Sequence, residues 1–406
     1  MTTTINNEHK KLNVPNIRFP EFQGEWEVKS IKDVADFMGG GTPSSSNETF
    51  WQGTIPWISS SDIVENDIKN ISITRFITEK AIAHSATKLC PAPSILIVSR
   101  VGVGKIALSE EAICTSQDFC NLINIKVEPI FLTYCLSRIM KRMSMEVQGT
   151  SIKGITTSEI QKISINIPSL QEQKKIGKIL SLLDERIAIQ SKIIDRSQTL
   201  IKGLNDSLYA QYSGEVLTSF ANLGTSYSGL SGKSAQDFGS GKPFITYLNV
   251  YSNNVINEKD FQFVAIKDDE KQNVVEYGDV LFTLSSETPE EVGIGSVYLG
   301  RKNVYLNSFC FGVHITNTEV AFSPYLSYYV SSTPFRKFIY PYAQGSTRFN
   351  LCKADFEKAS IKLPSLENQK RIYSIMKHID SKIETEKSSL DLYNSQKQYL
   401  LRQMFI

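Results

Sequence analysis

The chain has 406 residues and a formal net charge of +2, with 41% hydrophobic and 21% charged residues. This length predicts two to three domains with ample core, and no apolar run approaches the ~18 residues that a bilayer span requires. The polar stretch 1–11 lacks the apolar segment of a signal peptide, so we expect a cytoplasmic protein that does not contact membranes. Because the net charge is weak, any nucleic-acid-binding surface must be local.

The cysteines and histidines do not form a metal-binding pattern. Six cysteines contain no C-x-x-C pair, and only four histidines accompany them. We therefore expect no metal site, and thiols that are reduced and mostly buried.

Taken in order, the predicted elements alternate between globular segments and long helices. The segments are a polar tail (1–12), a first globular domain (13–167), a first helix (168–212), a second globular domain (213–363) and a second helix (364–406). We predict an α/β (α+β) fold: two similar globular domains separated by two long antiparallel coiled-coil helices, with pseudo-two-fold symmetry.

Within the globular domains, strand-like runs alternate with turns and short helices. The apolar runs 94–99 and 279–284 each follow a turn and predict one buried strand per domain. Glycine- and serine-rich stretches at 39–46 and 228–234 predict loops. The two domains match in layout more than in residues.

The chain repeats itself at an offset of 196 residues. KISINIPSLQEQKKI at 162–176 returns as KASIKLPSLENQKRI at 358–372, and 12 of the 26 positions between 162 and 187 are identical to their counterparts. A period this long indicates two copies of a whole domain plus one helix rather than a solenoid. Such a chain has two similar working surfaces, which suits a target with two parts.

Apolar residues recur in steps of four and three after Pro168 and again after Pro364, which predicts a heptad seam on each helix. Proline is tolerated just before a helix, where it also stops the preceding element. Two copies related by a near two-fold axis would pair antiparallel through these seams. The residues predicted to pair the helices or bind a partner are Gln173, Ile176, Leu180, Leu183 and Ile187, with Gln369, Ile372, Met376, Ile379 and Ile383.

A search for catalytic motifs in the sequence finds no complete set. Gly232-Lys233-Ser234 ends like a phosphate-binding loop, but Tyr227 occupies the required earlier glycine position. The four histidines are scattered, and the acidic residues near 290 read as a solvated loop. We predict no catalytic residue. Two alternatives stay open: an enzyme with cryptic motifs, and a structural protein whose coiled coil is the active surface.

Several stretches resemble the DNA-specificity subunit of type I restriction-modification systems. NIRFPEF at 16–22, FWQG at 50–53 and IPWI at 55–58 follow in that family's order. IPSLQEQKKI at 167–176 is similar to the family's Leu-Pro-x-Leu-x-Glu-Gln-x-x-Ile signature, from which the second copy departs at Asn368. The resemblance covers essentially the whole chain.

The resemblance implies a non-catalytic adaptor with two target-recognition domains, each reading half of a split site on double-stranded DNA. The paired helices would fix the gap between half-sites, since ~34 Å separates successive turns of the duplex. They would also dock the modification (methyltransferase) subunits, which in turn recruit the restriction/translocase subunits. The methyl donor, ATP and magnesium are then expected on those partners, with no cofactor bound by this chain.

In the first domain, polar side chains on predicted loops are candidates for DNA contact. Arg100 lies beside Gly102 and Gly104, which permit close backbone approach, so it could pair with a guanine edge or a phosphate. An ordinary exposed turn explains the same pattern, and local capping explains Gln117 and Asp118. The predicted DNA-binding residues here are Ser59, Ser61, Ser99, Arg100, Lys105, Gln117 and Lys153.

In the second domain the candidates come from corresponding places. Tyr247 and Asn249 match Trp57 and Ser59 in position. Near the place of Arg100 this domain has an acidic cluster instead, whose carboxylates can accept from a cytosine amino group; that contact stays open. The predicted DNA-binding residues are Tyr247, Asn249, Thr283, Ser285, Ser286, Arg348 and Lys353.

Overall fold

A computed structural model describes residues 13–147 and 154–406 of the chain. It divides into two compact units. Unit 1 runs to Ser191 and includes Ser389–Ile406, and unit 2 is Lys192–Ser388. Each unit therefore combines one globular domain with part of both long helices. Over the described ranges, no helix is both long and apolar enough to cross a membrane.

The strands of unit 1 are β1 (Glu27–Ser30), β2 (Asp36–Gly39), β3 (Ile55–Ile58), β4 (Arg75–Ile77), β5 (Leu89–Cys90), β6 (Ser94–Val98), β7 (Ile106–Ser109), β8 (Ile113–Thr115), β9 (Phe119–Ile123) and β10 (Ser164–Ile167). They form two four-stranded sheets, ordered β2-β9-β6-β7 and β4-β3-β8-β5, with β1 and β10 as a separate antiparallel pair. The helices of its globular domain are α1 (Ile31–Val34), α2 (Glu79–Ala83), α3 (Pro129–Val147) and α4 (Thr157–Gln161).

The strands of unit 2 are β11 (Val216–Thr218), β12 (Gly224–Ser228), β13 (Phe238–Ile245), β14 (Gln262–Val264), β15 (Val280–Thr283), β16 (Ser285–Ser286), β17 (Gly295–Val297), β18 (Tyr305–Leu306), β19 (Cys310–Ile315), β20 (Ala343–Gln344), β21 (Phe349–Leu351) and β22 (Ile361–Leu363). They include a four-stranded sheet, β12-β19-β15-β17, and two three-stranded sheets, β14-β13-β18 and β16-β21-β20. The short helices of unit 2 are α6 (Phe220–Leu223), α7 (Tyr247–Ser252), α8 (Ser323–Tyr329), α9 (Thr333–Ile339) and α10 (Lys353–Lys358).

The buried strands explain why both predicted apolar runs become sheet. Every residue of β6 and of β15 is buried, which fits strands covered on both faces and rich in Val, Ile and Leu. In both units one strand pair is parallel, β3 with β8 and β13 with β18. The predicted strands at 94–99 and 279–284 are thus confirmed.

The two long helices are also confirmed. They are α5 (Leu170–Tyr212) and α11 (Leu366–Gln403). Each begins two residues after its proline, where the ring no longer removes a helical hydrogen bond. The predicted fold class is correct: a mixed helix and sheet protein with a long helix between two domains.

Unit 1 shows how the two helices pair. Lys397 on α11 lies 2.5 Å from a carboxylate oxygen of Asp184 on α5. One turn away, the guanidinium of Arg186 lies 4.6 Å from the ring centre of Tyr393. Arg186 follows Asp184 on α5, but its partner Tyr393 precedes Lys397 on α11. The helices therefore run antiparallel within this unit, as the seams predict.

A buried glutamine joins each domain to the start of its helix. Gln173 donates to the carbonyl of Pro168 at 2.8 Å and accepts from the backbone N–H of Glu128 at 2.9 Å. Gln369 makes the equivalent pair with Pro364 at 2.9 Å and Phe322 at 2.8 Å. Both amides therefore hold the domain against the first helical turn.

The apolar seam residues are used inside the units. Ile176, Leu180 and Leu183 are buried on α5, and the first two belong to a core that includes Leu401, Met404 and Phe405. In unit 2, Ile372 and Met376 pack into the core that Ile201, Leu204 and Leu208 of α5 cover. Ile383 is also buried, whereas Ile187 and Ile379 are half-buried.

The departure at Asn368 has a local compensation. In unit 1 the buried carboxylate of Glu172 forms a two-point ion pair with Arg18, with both N–O distances 2.8 Å. In unit 2 the amide of Asn368 donates to both oxygens of Glu215, at 2.9 and 3.0 Å. In unit 2 the carboxylate thus belongs to the start of the globular domain and not to the helix, and a contact between that segment and the helix is preserved.

Candidate nucleic-acid interface

In unit 1 the structure brings three predicted loops together. The ammonium of Lys105 donates to the carbonyl of Ser60 at 3.3 Å, and the Ser99 hydroxyl donates to the carbonyl of Asp118 at 3.0 Å. These bonds join the segments around 60, 100 and 118. Arg100 and Gln117 are exposed at this edge, and the side-chain oxygen of Gln117 accepts from the Thr42 hydroxyl, so the guanidinium of Arg100 and the amide N–H groups of Gln117 face one surface.

The loop after β6 depends on its glycines. Gly102 and Gly104 have φ of +83° and +99°, a region that favours glycine. A Cβ on Gly104 would also lie 2.8 Å from that of Ser144 on α3. The glycines thus allow a tight turn against α3 that presents Arg100.

The predicted serines of the first domain are less available for DNA contact than Arg100. Ser59 contacts the hydroxyl of Ser61 at 2.9 Å, accepts from Arg75 at 2.7 Å and donates to Asp62 at 3.1 Å. Ser61 is exposed, whereas Ser99 is buried. Lys153 lies outside the described residues. Arg75, which the sequence interpretation missed, also lies 4.6 Å from the ring centre of Trp57.

In unit 2 four predicted residues line one concavity of about 610 Å³. They are Tyr247, Ser285, Ser286 and Arg348. Its other lining residues are Leu248, Tyr251, Glu287, Glu291, Phe309 and Thr347; of these, only the acidic Glu287 and Glu291 entered the sequence analysis, as a contact left open. The predicted residues are therefore part of a larger aromatic and charged surface.

Hydrogen bonds hold the floor of this concavity. Tyr251 donates to Glu291 at 2.6 Å, and Ser286 donates to the same carboxylate at 3.0 Å. The bond from Tyr251 holds the pKa of Glu291 below its usual range, so this carboxylate stays ionised. Tyr247 donates to the carbonyl of Ser285 at 2.8 Å and stacks on Tyr251 with ring centres 6.0 Å apart. The floor is therefore preorganised.

The rim carries the groups left free to bind. Phe309 is 54% exposed, and the guanidinium of Arg348 lies 5.7 Å from its ring centre. Glu287 is exposed as well. An aromatic face, a guanidinium and a carboxylate around one hollow can stack on a base and hydrogen-bond its edge.

The remaining predicted residues of unit 2 are used by the fold. Asn249 is buried, and its amide bonds the backbone of Asn257 in both directions, at 2.9 and 3.0 Å. Thr283 is buried and accepts from the N–H of Ile294 at 3.0 Å. Lys353 lies 3.6 Å from Glu357 and 5.0 Å from the ring centre of Phe311. The side chains of Asn249 and Thr283 are thus committed to contacts inside unit 2.

Comparison with known proteins identifies the architecture. The profile of the family described as "Type I restriction modification DNA specificity domain" matches twice in tandem, over residues 23–196 and 229–392. The chain belongs to this family. The two matches cover most of the sequence, and each takes in one globular domain with part of its following helix.

Individual relatives agree with the family assignment. The chain is 34% identical over 175 residues to the type I restriction enzyme MjaIX specificity subunit of Methanocaldococcus jannaschii, covering 41% of this chain and 40% of that protein. It is 33% identical over 195 residues to the EcoR124I/EcoR124II specificity subunit of Escherichia coli, covering 45% and 47%. These alignments span less than half of each relative. A putative MjaX specificity subunit of M. jannaschii aligns over 97% of this chain and 96% of its own length, at 23% identity.

The fold itself matches a solved specificity subunit. The crystal structure of a type I restriction-modification system S subunit from M. genitalium superposes with a TM-score of 0.57 at 15% identity, covering 97% of this chain and 99% of that one. A chain from a structural study of type I system assembly and conformational transition gives a TM-score of 0.59 at 16% identity, covering 93% and 96%. At this identity the likeness concerns the fold alone.

Proposed function

We propose that this chain is the sequence-recognition subunit of a type I restriction-modification complex. It reads a split site on double-stranded DNA, one domain for each half, and catalyses no reaction itself. The observation that carries the proposal is the tandem family match, one for each domain. Different side chains at the two candidate surfaces support it, because two unlike surfaces on one chain suit two unlike half-sites.

The experiment that tests this function is a methylation map. The chain is co-expressed with its methyltransferase subunit, and the host genome is sequenced for methylated adenines. We expect one split motif with a constant gap. A stable complex without any motif would instead favour a structural partner protein, and methyl transfer by the purified chain alone would contradict a non-catalytic role.

The long helices supply a surface for the methyltransferase subunit. Because Gln173, Ile176, Leu180 and Leu183 are buried in unit 1 and Ile187 is half-buried, the proposed docking surface uses other positions of α5. Ile179, Leu182 and Ile189 are 37%, 48% and 59% exposed on this helix, at spacings of three and seven that place them on one face. In this proposal the methyl donor, ATP and magnesium belong to partner subunits, including those for restriction and translocation.

Changing Leu182 and Ile189 to glutamate should abolish copurification of the methyltransferase subunit while leaving the melting temperature of the chain unchanged. Both side chains are exposed, and glutamate is a good helix former, so the helix itself is not weakened. Lys174→Glu, also exposed on α5, changes the charge by the same two units and should still copurify. Normal copurification of the double variant would remove this face from the proposal.

In unit 2 we assign base reading to Arg348. Arginine binds the O6 and N7 acceptors of guanine, and such a pair discriminates bases by ~1–3 kcal/mol. Arg348→Ala should therefore relax methylation at one base pair of one half-site, whereas Arg301→Ala, also exposed, should leave the motif intact. A loss of methylation that is uniform over all site variants would show that Arg348 contacts only the backbone.

A further inference from the structure

A second concavity, of about 650 Å³, lies in unit 1. Its walls are the Gly102–Gly104 loop, the last turns of α3, the 65–68 loop and the end of α11. Six basic residues line it against two acidic ones, Glu65 and Asp67. The basic residues are Lys105, Arg138, Lys141, Arg142, Lys397 and Arg402. In a chain with a net charge of only +2, this is a strong local excess of positive charge.

Several of these charges are committed to the fold. Lys397 binds Asp184 and donates to the carbonyl of Asn66 at 3.0 Å. Lys141 donates to the side-chain oxygen of Asn66 at 3.0 Å. Asp67 is also occupied, since its carboxylate accepts from the backbone N–H groups of Lys69 and Asn70 at 2.9 and 3.1 Å. These groups hold the cavity together.

Arg138 and Arg142 differ from these residues in lacking such partners within the described structure. They lie four residues apart on α3, where like charges repel, and within the described parts of the chain no carboxylate lies within ion-pair distance of either guanidinium. Arg138 is half-buried, and this burial lowers the pKa of its guanidinium, with the nearby Arg142 adding to the effect. The half-buried guanidinium of Arg138, with a like charge one helical turn away and no counter-charge in the described structure, costs stability that a bound anion would offset.

Unit 2 does not repeat this arrangement. The corresponding helix carries Arg336, but its guanidinium donates to the carbonyls of Glu290, Val292 and Gly293 at 2.6–2.8 Å. Offset by 196 residues, Lys397 and Arg402 correspond to Ile201 and Asp206. The basic cavity therefore belongs to unit 1 and is not a general feature of the repeated fold.

We propose that Arg138 and Arg142 bind phosphates of the DNA backbone, so that unit 1 anchors the duplex while its neighbouring loop reads bases. The inference rests on the proposed function. A nucleic acid is favoured over an acidic protein because one wall of the cavity is the glycine loop that presents Arg100, so a single duplex can contact both. Guanidinium groups match phosphate oxygens with two parallel hydrogen bonds.

The test compares the complex of this chain and its methyltransferase subunit with the same complex carrying Arg138→Gln and Arg142→Gln. Binding of a fluorescent duplex is measured between 50 and 200 mM salt, a range of about fourfold over which phosphate contacts dominate. Each lost phosphate contact lowers the slope of log affinity against log salt by ~0.9, so the double variant should lose about two units. Affinity should fall about tenfold or more, equally for duplexes with and without the site.

Matched variants keep the result interpretable. Lys271→Gln with Arg301→Gln removes the same charge from exposed residues of unit 2 that line neither concavity, and should change the slope by less than half as much. Arg142→Gln alone changes an exposed residue and should lower the slope by about one unit, even where loss of the half-buried Arg138 impairs folding. Melting temperatures of all variants identify any folding defect.

An unchanged slope in both Arg142 variants would overturn the inference. Loss of the methyltransferase subunit from the variant complex, with the DNA slope unchanged, would also overturn it and identify an acidic protein surface as the ligand. The preference of the unmodified complex for its site reports separately on the proposed function. The slope difference reports on this cavity, so either conclusion can fail without the other.

Discussion

Replacing Lys397 by methionine should destabilise unit 1 by about 3 kcal/mol, because removing one partner of a buried ion pair leaves the other charge unpaired. The side chains of Lys397 and Asp184 are 9% and 10% exposed. Asp184 would keep a hydrogen bond from the Tyr134 hydroxyl at 2.6 Å, which places the loss near the lower end of the usual range for such a change. The loss of Lys397 would also leave the carbonyl of Asn66 without its hydrogen-bond donor.

The measurement is the free energy of unfolding of unit 1, taken from urea-induced unfolding of the whole chain. Lys382→Met removes the same charge from an exposed position of α11 and should change stability by less than ~0.5 kcal/mol. Adding Asp184→Asn to Lys397→Met should recover much of the loss, since the amide still accepts from Tyr134 and carries no charge. A Lys397→Met chain as stable as the Lys382→Met control would show that the pair contributes nothing.

The elements that sequence alone predicted are those with local causes. A heptad repeat and a preceding proline define α5 and α11, and neither signal requires knowledge of the rest of the chain. The two buried strands follow from continuous runs of β-branched and apolar residues. Antiparallel pairing of the helices came from the repeat, and the contacts of Asp184 and Arg186 in unit 1 confirm it.

The candidate surfaces were predicted less completely, since they depend on which loops meet. Phe309 and Tyr251 are far apart in sequence, and only the fold of unit 2 brings them to one concavity. Arg138 and Arg142 were not among the predicted residues, because nothing in the local sequence shows that the end of α11 packs beside them. Asn249 carries a side chain typical of base contacts, yet it closes its own turn, which no local pattern reveals.

Contacts between domain and helix are repeated closely enough in the two units to permit an exchange within one chain. Tyr134 donates to Asp184 in unit 1, and Tyr328 donates to the equivalent Asp380 in unit 2. The glutamine at the start of each helix bonds both its proline carbonyl and a backbone N–H of the domain. At these two points, domain 2 placed on the first helix would therefore find the same acceptors and donors.

Not every contact transfers: Asn205 and Asp206 of α5 bond Tyr328 and Thr333 of domain 2, and Leu401 and Arg402 occupy the equivalent places on α11. The contact at the first helical turn also differs, and it sets the design. Domain 2 brings Glu215, which in its own unit binds Asn368, whereas the first helix offers the carboxylate of Glu172. Two carboxylates at this point would repel each other once Arg18 is gone. The exchange of 13–167 for a second copy of 213–363 therefore needs Glu172→Asn, and the same exchange without it should give a less stable protein that methylates poorly.

With that change, the duplicated chain should direct methylation to a new split motif whose two halves are inverted copies of one half of the original site. The other original half-site should disappear, because the side chains that read it are gone, while copurification of the methyltransferase subunit should persist through the retained α5 face. The adenine methylation map measures this directly. Direct instead of inverted copies would contradict the two-fold relation inferred from the repeat, and an unchanged motif would show that the replaced domain 1 does not read its half-site.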